Sequence, residues 1–213
     1  VVSFTLHETR YRGKELLQKL AGTRITVCGS GALGANLVEQ LARCGAAGLT
    51  VVDRDRLEEQ NLATQPYGRS ELGGYKATLL SAQIYRSLGL QVTSVAKELT
   101  QDTAARLLRG SQLVVDCLDN RAGRLCVQEA CRQFQIPLLH GGLNGDYAEV
   151  VWDAAYTVPS GAGEDVCDYP LARNLVTLTV STLAESILTW LDSEEEQSWS
   201  LTLRDFAIRP WLT

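Results

Sequence analysis

Between residues 23 and 140, short and almost wholly apolar runs alternate with longer stretches in which apolar side chains recur every three or four positions. The first pattern fits strands buried on both faces and the second fits amphipathic helices, so this segment predicts repeated strand and helix units. Residues 23–53 read as a strand, a glycine-rich turn, an apolar-faced helix and a second strand over 49–52, closed by the lone acid Asp53. Helix is predicted over 75–88, strand over 91–96, a short helix over 100–108 with Thr100 as its N-cap, and strand over 113–117. A helix from about 122 to 133 and a strand over 136–140 complete the series. Such alternation implies an α/β fold with a mostly parallel, Rossmann-like sheet flanked by helices.

The two flanks read differently. Residues 1–20 begin irregularly and turn helical over 14–20, where Leu16, Leu17 and Leu20 share one face. After Gly141, strict alternation over 147–153 predicts an additional antiparallel strand, and 156–168 is a glycine- and proline-rich loop. A helix over 173–191, an acidic run over 192–197 and one closing strand over 198–209 follow. A chain of 213 residues is expected to form a single domain over 1–213: an arm and helix over 1–22, a nucleotide-binding core over 23–140 and a distinct C-terminal part over 141–213.

Composition narrows the partners. Apolar residues make up 45% and charged residues 21%, ordinary for a soluble protein, and a net charge of −5 gives no general attraction for DNA. No apolar stretch is long enough to span a membrane and the first residues lack the apolar centre of a signal peptide, so a cytoplasmic location is expected. Six cysteines, at 28, 44, 117, 126, 131 and 167, form no CxxC pair, so no structural zinc is expected. Five of them fall in strand or helix patterns and read as small buried hydrophobes, whereas Cys167 falls in the loop.

The chemistry begins at Gly29-Ser30-Gly31-Ala32-Leu33-Gly34. In a strand-turn-helix unit this spacing makes a phosphate cradle. Gly29 allows the sharp turn, Gly31 lets backbone N–H groups approach phosphate oxygens, and Gly34 lets the helix lie close on the strand. The helix N-terminus adds partial positive charge, and Asp53 stands where a carboxylate accepts from ribose hydroxyls. Dehydrogenases, flavoproteins, methyltransferases and adenylating enzymes share this turn, so the residues further along must separate them.

Those residues come in order: Asp53-Arg54-Asp55, then Asn61-Leu62-Ala63-Thr64-Gln65, then Gly74-Tyr75-Lys76-Ala77, then Asp116-Cys117-Leu118-Asp119-Asn120 with Arg124 four positions on. The set resembles the ThiF/MoeB/HesA family, relatives of the ubiquitin-activating enzymes, over about residues 10–210. The resemblance implies an adenylyltransferase that uses ATP and Mg²⁺ to activate the C-terminal carboxylate of a small ubiquitin-like or sulfur-carrier protein ending in Gly-Gly. It further implies a homodimer or a heterodimer with a related subunit, and makes 141–213 the carrier-binding and dimerisation part. By the same resemblance, Gly29, Gly31 and Gly34 line the ATP phosphates and Asp53 holds the ribose. Asn61 and Gln65 lie against the nucleotide and phosphates, Lys76 contacts phosphate, Asn120 lies beside the nucleotide, and Asp119 is the magnesium-associated carboxylate. Arg124 matches a family arginine and is read either in that role or as a partner of Asp116 or Asp119.

Three departures from the family pattern bear on activity. Thr64 replaces the arginine of the family's NLxRQ segment; loss of such a charge partner costs about 2–4 kcal/mol of transition-state stabilisation unless another group substitutes. The candidate substitutes are Arg54, Arg69, or an arginine reaching from a neighbouring subunit, Arg10 or Arg12, as an N-terminal arginine of the family does across its dimer interface. The paired zinc cysteines of many relatives are absent. Cys167 falls near a loop cysteine that in many relatives attacks the acyl adenylate or takes part in sulfur transfer, although Asp165 and Asp168 beside it oppose thiolate formation. At His140-Gly141-Gly142 a backbone role for the glycines is expected in preference to acid–base work by His140. Two other readings stand beside adenylation: a catalytically weak scaffold subunit, favoured by Thr64, and an NAD(P)-dependent oxidoreductase, which leaves Asn61, Gln65, Lys76 and Asp119 without a role.

Overall fold

In the computed structural model, residues 3–159 and 170–211 are described. They form one eight-stranded sheet with spatial order β3-β2-β1-β4-β5-β6-β7-β8. Strands β1 (Arg24–Cys28), β2 (Gly48–Val52), β3 (Thr93–Val95), β4 (Leu113–Asp116) and the start of β5 (Leu138–Asn144) run parallel. β6 (Tyr147–Trp152), β7 (Trp199–Thr202) and β8 (Ala207–Pro210) then add on antiparallel.

The continuous apolar runs have the predicted cause: both faces of the parallel strands are covered. On β4, Leu113 and Val115 face the core beneath α2 (Lys14–Gly22), α3 (Ala32–Cys44), α4 (Lys76–Leu88) and α7 (Arg173–Ser193). Val114 between them faces the second core, with Leu108 of α5 (Gln101–Leu108) and Val127 and Cys131 of α6 (Arg121–Phe134). Thr100 caps α5 as expected, its hydroxyl accepting from the Thr103 backbone N–H. Among the described residues no helix is long and apolar enough to cross a membrane.

Two elements depart from expectation. The supposedly irregular start contains α1, Leu6–Arg12, a helix with no buried residue and hence no apolar stripe to betray it. The single closing strand is a hairpin, β7 paired with β8, turning through Leu203–Phe206, where Phe206 takes a left-handed φ of 52°. That turn has no glycine, proline or asparagine; Asp205 is its one turn-favouring residue, and the left-handed position falls on Phe206 instead, so its sequence is weakly punctuated.

Candidate functional site

Connections from β1 lead outward to β2 and β3 on one side, while β4 and β5 extend the sheet on the other. The order therefore reverses between β1 and β4, and a crevice forms beyond their carboxyl ends. The turn after β1 lies there. Gly29 has φ 95°, donates to the Val52 carbonyl at 2.8 Å, and has no room for a side chain, since an added Cβ would lie 2.8 Å from the Cys117 carbonyl oxygen. At Gly34 a Cβ would fall 1.9 Å from the Gly29 carbonyl oxygen, so the first turn of α3 sits directly on the turn it follows. Gly31 is different: only the Gln65 amide nitrogen, at 4.0 Å, comes near its added Cβ.

Asp53 ties this turn to the end of β2. Its two carboxylate oxygens accept from the backbone N–H groups of Ser30 and Asp55, each at 2.6 Å. Burial pushes its carboxyl above the usual range, against the pull of those two hydrogen bonds. Each oxygen has a second lone pair for a further donor. Buried Tyr67 closes the turn from the side, sharing a 2.6 Å hydrogen bond with the Ser30 hydroxyl and donating to the Ser30 and Lys76 carbonyls.

Lys76 opens α4 with its side chain largely buried and its ammonium 3.6 Å from Asp55. Gln65 is buried, and its side-chain carbonyl oxygen has no hydrogen-bond partner among the described residues. The amide nitrogen is the part of Gln65 nearest Gly31, so this side chain can donate toward an anion in the turn. Asn61 spends its side-chain oxygen on the Glu58 backbone N–H at 3.0 Å, shaping its own loop. Asp119 is exposed just past β4 and makes no ion pair among the described residues. Asn120 caps α6, accepting from Gly123 N–H at 2.8 Å.

The candidate substitutes for an arginine at position 64 are differently disposed. Arg54 pairs with Glu98 and Asp55, and Arg69 with Glu59. Arg10 lies on α1, whose neighbouring Arg12 bonds to Glu8 and Glu185. Cys167 lies outside the described residues. The five described cysteines are free thiols, and burial holds Cys28 and Cys117 well above the ordinary thiol range.

Beyond β4 and β5 lies a polar cluster that the sequence did not announce. His140, fully buried, has Nδ1 3.0 Å from Asp116 and Nε2 3.3 Å from Asp153, and stacks on Tyr156 at 3.7 Å between ring centroids. Arg124 donates to the Tyr156 hydroxyl at 2.7 Å and the Gly141 carbonyl at 3.1 Å, and lies 3.7 Å from Asp116. The second reading of Arg124, as a partner of Asp116, is therefore the one its geometry matches. The side chain of His140 carries a structural burden here that the glycine reading of 140–142 overlooked.

A cavity of about 420 Å³ opens between α1, α3 and α7, lined by Glu8, Asn36, Glu39, Arg43, Cys44 and Arg173 among others. Its charges of both signs match no single anion. Among the described residues no three His, Cys, Asp or Glu side chains converge as a metal-binding set.

Comparison with known proteins fits this geometry. Residues 6–159 match the ThiF family. The chain is 36% identical over 115 residues to the mouse adenylyltransferase and sulfurtransferase MOCS3, covering 53% of this chain and 25% of that protein. It is 31% identical over 134 residues to the sulfur carrier protein ThiS adenylyltransferase of Bacillus subtilis, covering 61% of this chain and 40% of the other. It thus spans less than half the length of either. A crystal structure of Escherichia coli MccB with ATP superposes over 99% of this chain and 71% of its own, with a TM-score of 0.81 at 14% identity, which establishes a common fold.

Proposed function

The chain belongs to the ThiF family, and from that premise we propose that it is an ATP-dependent adenylyltransferase acting on the C-terminal carboxylate of a small ubiquitin-like or sulfur-carrier protein that ends in Gly-Gly. The observation that carries this reading is the convergence of a bare glycine turn, the Asp53 carboxylate, the Gln65 amide nitrogen and the Lys76 ammonium at one end of the sheet. That MOCS3 is an adenylyltransferase and sulfurtransferase, and that the Bacillus subtilis relative adenylates the sulfur carrier protein ThiS, lends it chemical direction.

In the proposed reaction a carboxylate oxygen of the carrier attacks the α-phosphorus of ATP, the bond from that phosphorus to the bridging oxygen breaks, and pyrophosphate leaves. The attacking group is already an anion, so no side-chain base is required. What the protein supplies is alignment of two anions and cover for their repulsion. Backbone N–H groups of the glycine turn and the α3 N-terminus face the phosphates, Asp53 receives the ribose hydroxyls, and Lys76 shifts from Asp55 toward charge building on the pyrophosphate. Asn61 and Asn120 keep their loops in shape around the nucleotide. Asp119, an exposed carboxylate without an ion pair among the described residues, suits a hard cation that takes its other ligands from phosphate and water. Mg²⁺ bound there would neutralise phosphate charge.

The same proposal extends to Cys167: its thiolate attacks the acyl carbon of the adenylate, AMP departs, and a thioester remains. Replacement by serine, C167S, is expected to leave adenylation intact and to abolish any thioester trapped on the protein. A homodimer, or a heterodimer with a related subunit, is the proposed assembly.

The test is ATP–pyrophosphate exchange with the carrier co-purified from the native source. K76A and D119A are each expected to lower exchange by about a hundredfold or more. Undiminished exchange by complexes containing either variant would instead favour the scaffold reading, which the threonine at 64 recommends.

A further inference from the structure

A crevice that receives a triphosphate must offset several negative charges, and here Asp53, Asp55 and Asp119 add their own. Lys76 is shared with Asp55, Arg54 with Glu98 and Asp55, and Arg69 with Glu59. One guanidinium is placed otherwise. Arg173 is the first residue of α7. Two residues before it, Leu171 bridges to Gly145, and the Gly145 N–H donates to the Pro170 carbonyl at 3.0 Å, so the start of the helix is pinned to the turn between β5 and β6.

From there Arg173 reaches back across 109 positions of sequence to donate from one terminal nitrogen to the Thr64 carbonyl at 2.5 Å. The same nitrogen lies 3.2 Å from the Asn36 side-chain oxygen. Asn36 in turn donates to the carbonyls of Thr64, at 2.8 Å, and Ala32, at 2.7 Å. The guanidinium is thereby fastened to the residue before Gln65 and, through Asn36 in the second turn of α3, to the Ala32 carbonyl in its first. Among the described residues no carboxylate pairs with Arg173, and only one of its three nitrogens is engaged. The planar fork still has donors for an oxyanion.

We propose that Arg173 contacts the β- and γ-phosphates of ATP, delivering from α7 the guanidinium that the 61–65 segment lacks because residue 64 is threonine. The assignment rests on the adenylation reading above. It differs from a bracing role for Arg173 in one respect: its effect depends on how many phosphates the nucleotide carries.

Calorimetric titration of the full chain with Mg²⁺-ATP and with AMP separates these roles. R173A is expected to weaken ATP binding by about ten- to a hundredfold while leaving AMP binding unchanged, with R173K between wild type and R173A. Adding T64R to R173A is expected to restore part of the ATP affinity, because the charge returns from the other side of the same hydrogen bond. Equal losses for ATP and AMP, or no loss for either, would overturn the assignment and leave Arg173 as a brace for the loop. A wild-type protein that binds neither nucleotide would instead sink the reading of the crevice, a result obtained without any variant.

Discussion

At the scale of single residues, the glycine turn separates what a side chain would do to the fold from what it would do to a ligand. An added Cβ at Gly34 meets a carbonyl oxygen at 1.9 Å, and since that atom is backbone it can yield only by moving the turn. G34A should cost at least about 1–3 kcal/mol of stability, read as a lowered Tm. At Gly31 the nearest atom to an added Cβ is 4.0 Å away and φ is −86°, which alanine adopts freely. G31A should therefore stay within about 1 kcal/mol of wild type, most of it the poorer N-cap, yet weaken ATP by at least about tenfold because the methyl stands where phosphate oxygens would approach. Unaltered ATP affinity in G31A would remove the phosphate cradle from the site. These glycines and Asp53 were legible in the sequence because their work is local and their spacing is fixed by one strand-turn-helix unit. Arg173 and Tyr67 were not, because each acts on a segment far away in the chain, and only the sheet brings the two together.

Elements fail to announce themselves when they lack either a buried stripe or a turn residue. The half-buried positions of α1, Glu8, Thr9 and Arg12, are polar, and the turn joining β7 and β8 places Phe206 rather than Asp205 or a glycine at positive φ, so periodicity was silent in one and punctuation weak in the other. The link between β6 and α6 was equally hidden, since it is made by polar side chains. Asp153, just past β6, receives hydrogen bonds from Gln128 at 2.7 Å and Arg132 at 2.8 Å, and faces His140. Burial acts to raise the Asp153 carboxyl, but these donors outweigh it and hold it down at about 2, from an ordinary 3.8. A carboxyl whose folded pKa is depressed stabilises the fold when ionised. That contribution is whole above the ordinary value and is lost as pH falls through the folded one. Denaturant midpoints should show D153N less stable than wild type by about 1–3 kcal/mol at neutral pH, with the gap closing between pH 4 and pH 2. A gap that stays constant across that window would mean that the ionised carboxylate is not what joins the hairpin to α6.

For the whole molecule, the question is whether the C-terminal part is an appendage or a wall of the nucleotide domain. Its strands continue the same sheet, β5 pairing with β6 from Leu139 and Trp152 to Asn144 and Tyr147. α7 lies in the same core as α3, with Leu175, Leu183 and Ile187 buried among Leu33, Leu37 and Leu41. Cutting the chain at residue 140 would strip apolar cover from α3 and leave β5 an unpaired edge, so neither part should persist without the other. All four tryptophans, at 152, 190, 199 and 211, belong to the C-terminal part, whereas five of the six helices from α1 to α6 lie after residue 13 and before residue 141. Tryptophan fluorescence therefore follows one part while far-ultraviolet circular dichroism draws mainly on the other. In urea the two signals should fall on one transition with a common midpoint, the signature of a single cooperative unit. Fluorescence that unfolds first, with helical signal retained, would divide the chain at the end of β5. It would also uncouple Arg173 from the glycine turn, because a residue can contribute charge to a site only if its helix remains docked when the site is formed.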